Sequence, residues 1–315
     1  MASFGLQGDW ANRADNTLPK STRQEGLQLY HFQCKCSRCV GDLDVYQVCS
    51  VSPVIHLNKF SLQPDLSKLQ NPPIDRSKAP RATAEGIYKA WQSETAVKNN
   101  EATAENVRQR WKLCKELVQA RMSAMEPIPS VVLQAISLAQ ADSRTWAYAL
   151  PLSCFLATEC DPYKLVAPFM PWRVKGAMSV AKLLSETARL TASGELANNC
   201  PHKALVDILQ MSDQVTMCEA TLRLVVHHAT IGASEDWEVL KEANDMLEEV
   251  EGLDGREKES AMLRAWAADP EGSEANAFFR TTVLKPINKL AALAIGILDE
   301  HLWDTSGSAI ARIAR

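Results

Sequence analysis

The chain has 315 residues, of which 46% are apolar and 23% charged, so it can bury a core of useful size. Its formal net charge of -4 argues against a protein that works mainly by coating nucleic-acid phosphates. The first ten residues lack the basic and apolar regions of a signal peptide, and no apolar run approaches the roughly 18 residues that a membrane helix needs. We therefore expect a protein of the cytoplasm, the nucleus or both, with no membrane span.

The nine cysteines are unevenly placed. Nine cysteines in 315 residues is a fraction well below that typical of disulfide-built secreted domains. Four of them stand among apolar residues, which is typical of buried free thiols: Cys114, Cys154, Cys160 and Cys218. Three others fall within six residues of one another: Cys34, Cys36 and Cys39. This close spacing indicates a local chemical role.

Composition divides the chain into three parts. Residues 1–50 combine turn-forming residues with the cysteine cluster and show no sustained helical period. Residues 51–82 contain five prolines and are predicted to be a linker. Residues 83–315 carry apolar positions at helical spacing with few strand signals, which predicts antiparallel helix pairs in a tetratricopeptide-like arrangement without the regular repeat signature. The predicted fold is therefore mainly α, with a small irregular cysteine-containing segment before the helical domain.

Several helices can be placed by their apolar spacing. The pattern predicts helices over 130–158, with a break at Pro151, and over 173–192, 202–230 and 282–303. The clearest runs from an N-cap at Ser234 to Val250 and is stopped by Gly252.

The cysteine cluster has the spacing of a metal site. Cys-x-Cys-x-x-Cys brings three thiolates within reach of one zinc ion at about 2.3 Å, but a structural zinc site needs a fourth ligand. The nearest candidates in the sequence are His31 and Cys49. The alternative is three thiols without metal. The sequence thus predicts an incomplete zinc site.

Residues 15–40 resemble the end of the SET domain and the post-SET segment of SMYD-type (SET and MYND) protein lysine methyltransferases. In that family a similar turn and helix lead to Tyr-x-Phe-x-Cys-x-Cys-x-x-Cys, and an all-helical, tetratricopeptide-like domain follows. This chain has both parts in that order. The matching residues are Asp15-Asn16-Thr17-Leu18-Pro19, Thr22-Arg23-Gln24-Glu25-Gly26-Leu27 and Tyr30-His31-Phe32, followed by the three cysteines.

The resemblance implies a role for each residue of the motif. Cys34, Cys36 and Cys39 are expected to supply three of four zinc ligands, with the fourth from an Asn-His-x-Cys motif in the SET core. Phe32 is expected to pack on the adenine of S-adenosylmethionine, and Tyr30 to line the channel for the substrate lysine. For both aromatic residues, packing around the zinc loop is the alternative.

The sequence also departs from the family. The 315 residues contain no Asn-His-Ser-Cys motif, no Gly-x-Gly cofactor loop and no MYND zinc finger. Arg13 stands where the family has its catalytic tyrosine, two residues before Asp15. A tyrosine there positions the lysine amine and the methyl donor, whereas an arginine brings a like charge beside the sulfonium. We therefore assign no catalytic residue to this chain.

Three functions remain open at this point. The first is a C-terminal fragment or truncated paralogue of a lysine methyltransferase, inactive alone, whose partner is a protein lysine substrate. The second is a helical interaction module whose concave face binds a protein partner, with a vestigial zinc loop. The third is a zinc-binding adaptor.

We predict that the purified chain retains less than one equivalent of zinc after dialysis against a mild chelator, because one of the four ligands is absent. Metal analysis checks this. A full, chelator-resistant equivalent would contradict it, and the variants Cys49→Ser and His31→Ala would then show which residue completes the site.

Overall fold

The computed structural model describes residues 144–161, 170–232, 237–270 and 272–304, with single positions between 24 and 33, 111 and 115, and 133 and 141. The four continuous ranges contain two π-helical segments, Leu156–Cys160 and Arg280–Leu284, and no strand, which confirms the mainly α class for this part of the chain. Their α-helices are α1 (Trp146–Phe155), α2 (Met170–Ala192), α3 (Leu196–Asn199), α4 (Lys203–Gln210), α5 (Gln214–Gly232), α6 (Glu238–Glu251), α7 (Glu257–Ala268), α8 (Ser273–Phe279) and α9 (Lys285–Asp304).

One hydrophobic core joins these helices. The long helix α2 packs along α5, α1 packs along α9, and α6 packs against α5. Within this core the rings of Trp266 and Phe279 stack with centroids 3.9 Å apart. Burial of one large apolar side chain contributes about 1.5–3 kcal/mol, so the helices are held mainly by their shared apolar faces.

The predicted break at Pro151 is wrong. Helix α1 contains Pro151 in its interior and continues directly into the first π-helical segment. Proline removes one helical hydrogen bond, but Leu150 and Leu152 on either side are buried in the core, and their packing offsets that loss. The interruption lies earlier in the chain, at Arg144 and Thr145, which are not helical and precede α1.

The predicted helix over 202–230 is divided into α4 and α5. The division lies at Met211, Ser212 and Asp213. The carboxylate of Asp213 accepts a hydrogen bond from the backbone N–H of Thr216 at 2.9 Å, which is the contact of an N-cap. Asp213 therefore starts a new helix at a point where the apolar spacing alone predicts one continuous helix.

The predicted end of α6 is confirmed, and its apolar spacing brings two residues into the core. Leu240 and Ala243 are buried, and the helix ends at Glu251 with Gly252 as its C-cap. The helix begins at Glu238 with the extended residue Trp237 as its N-cap, so the predicted start at Ser234, which itself lies outside the described residues, is three residues too early.

Helices α7 and α8 have no counterpart among the sequence predictions, and the helix predicted over 282–303 is the later part of a helical stretch that begins at Ser273. From α8 through the second π-helical segment to α9 the chain stays helical. The stretch Ser273–Glu300 is long and apolar enough to cross a membrane by length and composition, and 39% of its most apolar window is buried. Its buried side chains, which include Val283, Ile287 and Leu290, pack in the common core.

The turn before α1 and the turn after α2 have the same hydrogen bonds with different residues. Arg144 has a φ of 57°, its N–H donates to the Ala141 carbonyl, and the Thr145 N–H donates to the Gln140 carbonyl. Gly194 has a φ of 73°, its N–H donates to Thr191, and the following N–H donates to Leu190. Both are Schellman C-caps, in which glycine is the favoured residue.

We predict that Arg144→Gly raises the free energy of unfolding by about 1 kcal/mol, because glycine enters the left-handed region without the Cβ conflict that arginine has there. The matched change Gly194→Ala lowers it by about 1 kcal/mol, since a Cβ at position 194 meets nothing within 4 Å and the cost is conformational. Chemical denaturation measures both, and changes of the same sign would contradict the assignment.

Candidate functional site

The residues of the predicted cofactor and metal site lie outside the described residues. These are Tyr30, Phe32, Cys34, Cys36 and Cys39, and the second candidate for a fourth ligand, Cys49, lies there too. Within the described part, no group of three or more His, Cys, Asp or Glu side chains is arranged to hold a metal ion.

His31, the other candidate for the fourth ligand, is described. Its φ is 54°, and its N–H donates to the Gln28 carbonyl at 2.9 Å at the end of a helical turn. The residue is exposed, whereas Leu27 before it is buried. The imidazole is thus open to solvent.

The described cysteines are buried and form no disulfide bond: Cys154, Cys160, Cys200 and Cys218. This confirms the expectation for Cys154, Cys160 and Cys218, while Cys114 lies outside the described residues. Burial raises the pKa of the Cys154 thiol well above its usual range, and it raises the pKa of Cys218 to about 12 despite the opposing charge of Arg256. Because the thiolate is the nucleophilic form, Cys154 and Cys218 have structural roles.

A buried carboxylate accepts four side-chain hydrogen bonds in the described part. Glu219 on α5 has a fully buried side chain. Its Oε1 accepts two hydrogen bonds from Arg223, from Nε at 3.1 Å and from a terminal nitrogen at 2.9 Å. Its Oε2 accepts one from Arg256 at 2.9 Å and one from the hydroxyl of Ser260 at 2.8 Å. Both oxygens are therefore satisfied, and both guanidinium groups share the same carboxylate.

The two arginines extend this cluster to neighbouring helix ends. Arg223 also donates to Glu251 in the last turn of α6. Arg256, which precedes α7, donates to the Thr216 hydroxyl at 3.1 Å and lies 3.6 Å from the carboxylate of Asp213. The cluster thus links α5 to the end of α6 and the start of α7. Sequence reasoning missed it, and its local signal is the spacing of Glu219 and Arg223, four residues apart on one helix.

A second polar site surrounds Cys200 in the connection between α3 and α4. Its thiol is hydrogen-bonded to the Tyr148 side chain and to the backbone of His202. Burial raises the pKa of both Tyr148 and Cys200, so a neutral phenol and a neutral thiol meet here. The contact is with the backbone of His202, so this site lacks the thiolate and imidazole pair of a cysteine nucleophile.

No protein-family model matches this sequence, no curated protein matches it, and no solved structure matches its fold.

We predict that Glu219→Ala lowers the free energy of unfolding by about 3–5 kcal/mol, because it leaves two largely buried guanidinium groups without their carboxylate. The control Glu186→Ala removes an exposed ion pair with Arg189 and should cost less than about 1 kcal/mol. Glu219→Gln, which keeps the shape and an acceptor for Ser260, should fall between them. Equal losses for Glu219→Ala and Glu186→Ala in denaturant melts would contradict a central role for the cluster.

Proposed function

We propose that this chain is the C-terminal part of a SMYD-type protein lysine methyltransferase or a truncated paralogue of one. The reaction of that family is transfer of a methyl group from S-adenosylmethionine to a protein lysine. The observation that carries the proposal is the run Tyr30-His31-Phe32-Gln33-Cys34-Lys35-Cys36-Ser37-Arg38-Cys39, in which two aromatic residues and three cysteines fall at the family spacing. The helical character of the residues after it is in keeping with the proposal.

In this proposal the residues before the helical domain carry the chemistry of binding. Phe32 packs on the adenine of S-adenosylmethionine, and Tyr30 lines the lysine channel. Cys34, Cys36 and Cys39 hold zinc, and a cysteine of the SET core completes that site. Zinc held in this way has a structural role and fixes the loop that carries the aromatic residues.

The helical residues support a scaffold role within the same proposal. The antiparallel, tetratricopeptide-like arrangement of 83–315 is part of what we propose. The described cysteines are buried, and the buried charges of Glu219, Arg223 and Arg256 are engaged with one another. Groups held in this way stabilise helix packing, so we place the binding of cofactor and substrate at the N-terminal motif and not among these helices.

A helical interaction module with a vestigial zinc loop is the second candidate. The observation that favours it is the Glu219 cluster, which links α5, α6 and α7 through hydrogen bonds between side chains. A scaffold built in this way can present a surface to a protein partner without metal or methyl donor. The two candidates differ in whether the cysteine loop contributes to function.

We predict that the 315-residue chain alone transfers no label from S-adenosylmethionine to histones or cell-lysate proteins above the blank, because Arg13 replaces the positioning tyrosine and no Gly-x-Gly loop is present. The same residues joined behind the SET core of a SMYD-type enzyme should transfer label. Robust labelling by the chain alone would overturn the prediction.

The joined protein also separates the two candidates. If the cysteine loop holds zinc for catalysis, Cys36→Ser should lower labelling at least tenfold, whereas Ser37→Ala, one residue away, should leave it unchanged. Equal activity of both variants would favour the interaction module.

A further inference from the structure

One side of the last helix, α9, is open to solvent along most of its length. Its exposed residues follow one another at steps of four and three, which places them on one face of a helix. These residues are Lys285, Lys289, Ala292, Gly296 and Glu300. The opposite side, which includes Ile287, Leu290 and Ile297, lies in the hydrophobic core. The buried side fixes the helix in the fold, and the exposed side is available for another contact.

The charges on this exposed face are sorted along the helix. The two lysines lie in its first half, and neither forms an ion pair within the described part of the chain. Glu300 lies near the end with a side chain that is 67% exposed, and its carboxylate is 3.4 Å from the His202 imidazole. The neighbouring Asp299 is engaged by Trp111 and Lys115, each at 2.9 Å. The face therefore has a positive end and a negative end.

The middle of the face carries no bulky side chain. Ala292 and Gly296 are exposed, and a Cβ built at Gly296 meets no described atom within 4 Å. Glycine in the interior of a helix is less stable than alanine, and no contact in the described part requires it at this position. A second helix can approach the backbone closely here.

The order of charges makes the face complementary to itself. When two copies of a helix are related by a two-fold axis, residue i of one copy contacts residue j of the other, and the reverse contact also forms. If the axis passes between positions 292 and 293 of an antiparallel pair, Lys285 of each copy faces Glu300 of the other. The two resulting ion pairs lie about 22 Å apart, because each helical residue adds about 1.5 Å. Gly296 faces Lys289 between them.

We propose that α9 pairs in antiparallel orientation with α9 of a second copy of this chain through this face. The charge order selects that occupant, since a uniformly acidic or uniformly basic partner would meet like charge at one end. One helix face buries less than the about 800 Å² per partner of a standard interface, so the association is weak and reversible. The contact goes beyond the proposed function and does not depend on it.

Sedimentation velocity of the full chain over a range of concentrations at low salt tests this proposal. The chain should be monomeric when dilute and dimeric when concentrated. Lys285→Glu should weaken the association about tenfold, because it replaces two attractions by two repulsions. The double variant Lys285→Glu with Glu300→Lys restores both pairs in the reversed order, so its association should return. Lys258→Glu, at an exposed position on α7, is the matched control and should leave the association unchanged.

The variant Gly296→Gln separates association from folding. Glutamine favours a helix more than glycine does, so the dilute chain should resist denaturant better than before. The added side chain should keep the two helices apart and weaken the association at least fivefold. An unchanged association of Gly296→Gln would overturn the proposal. So would a chain that stays monomeric at every concentration, or a double variant that associates as weakly as Lys285→Glu.

Discussion

The described helices depend on a carboxylate that is buried with two arginines. Taking a charge out of water costs several kcal/mol unless partners replace the lost hydration, and Glu219 has four hydrogen bonds that do so. Those bonds come from α5 itself, from Arg256 before α7 and from Ser260 within α7. The position of α7 is therefore constrained by the requirement that Glu219 be satisfied.

This constraint also limits how the turn between α6 and α7 can be built. Gly255 adopts a φ of 77° in that turn, one residue before Arg256. Glu251 at the end of α6 contacts Arg223. The chain then contacts the cluster again at Arg256, within a few residues. Apolar packing holds the helices together, but it would tolerate sliding of one helix along another. The shared carboxylate fixes their register because hydrogen bonds are directional.

The sequence predicted those features that depend on neighbouring residues and missed those that depend on distant ones. The buried face of α6 and its end at Gly252 follow from helical spacing and from glycine at the C-cap. The helix through Pro151 could not be predicted, because the packing that offsets its missing hydrogen bond comes from other helices. Glu219 and Arg223 have the spacing of an ordinary solvated pair, and their burial depends on Arg256, 37 residues away from Glu219. The predicted site at Tyr30, Phe32 and the three cysteines stays a prediction.

The four buried thiols in the described part of the chain can report on internal motion. They lie in different places: Cys154 in α1, Cys160 in the π-helical segment, Cys200 between α3 and α4, and Cys218 in α5. A small alkylating reagent reaches each sulfur only when the surrounding helix parts from its neighbours. The order in which the four sulfurs are modified under native conditions would therefore rank these elements by how often each one opens. This measurement uses the native cysteines, so no residue has to be replaced.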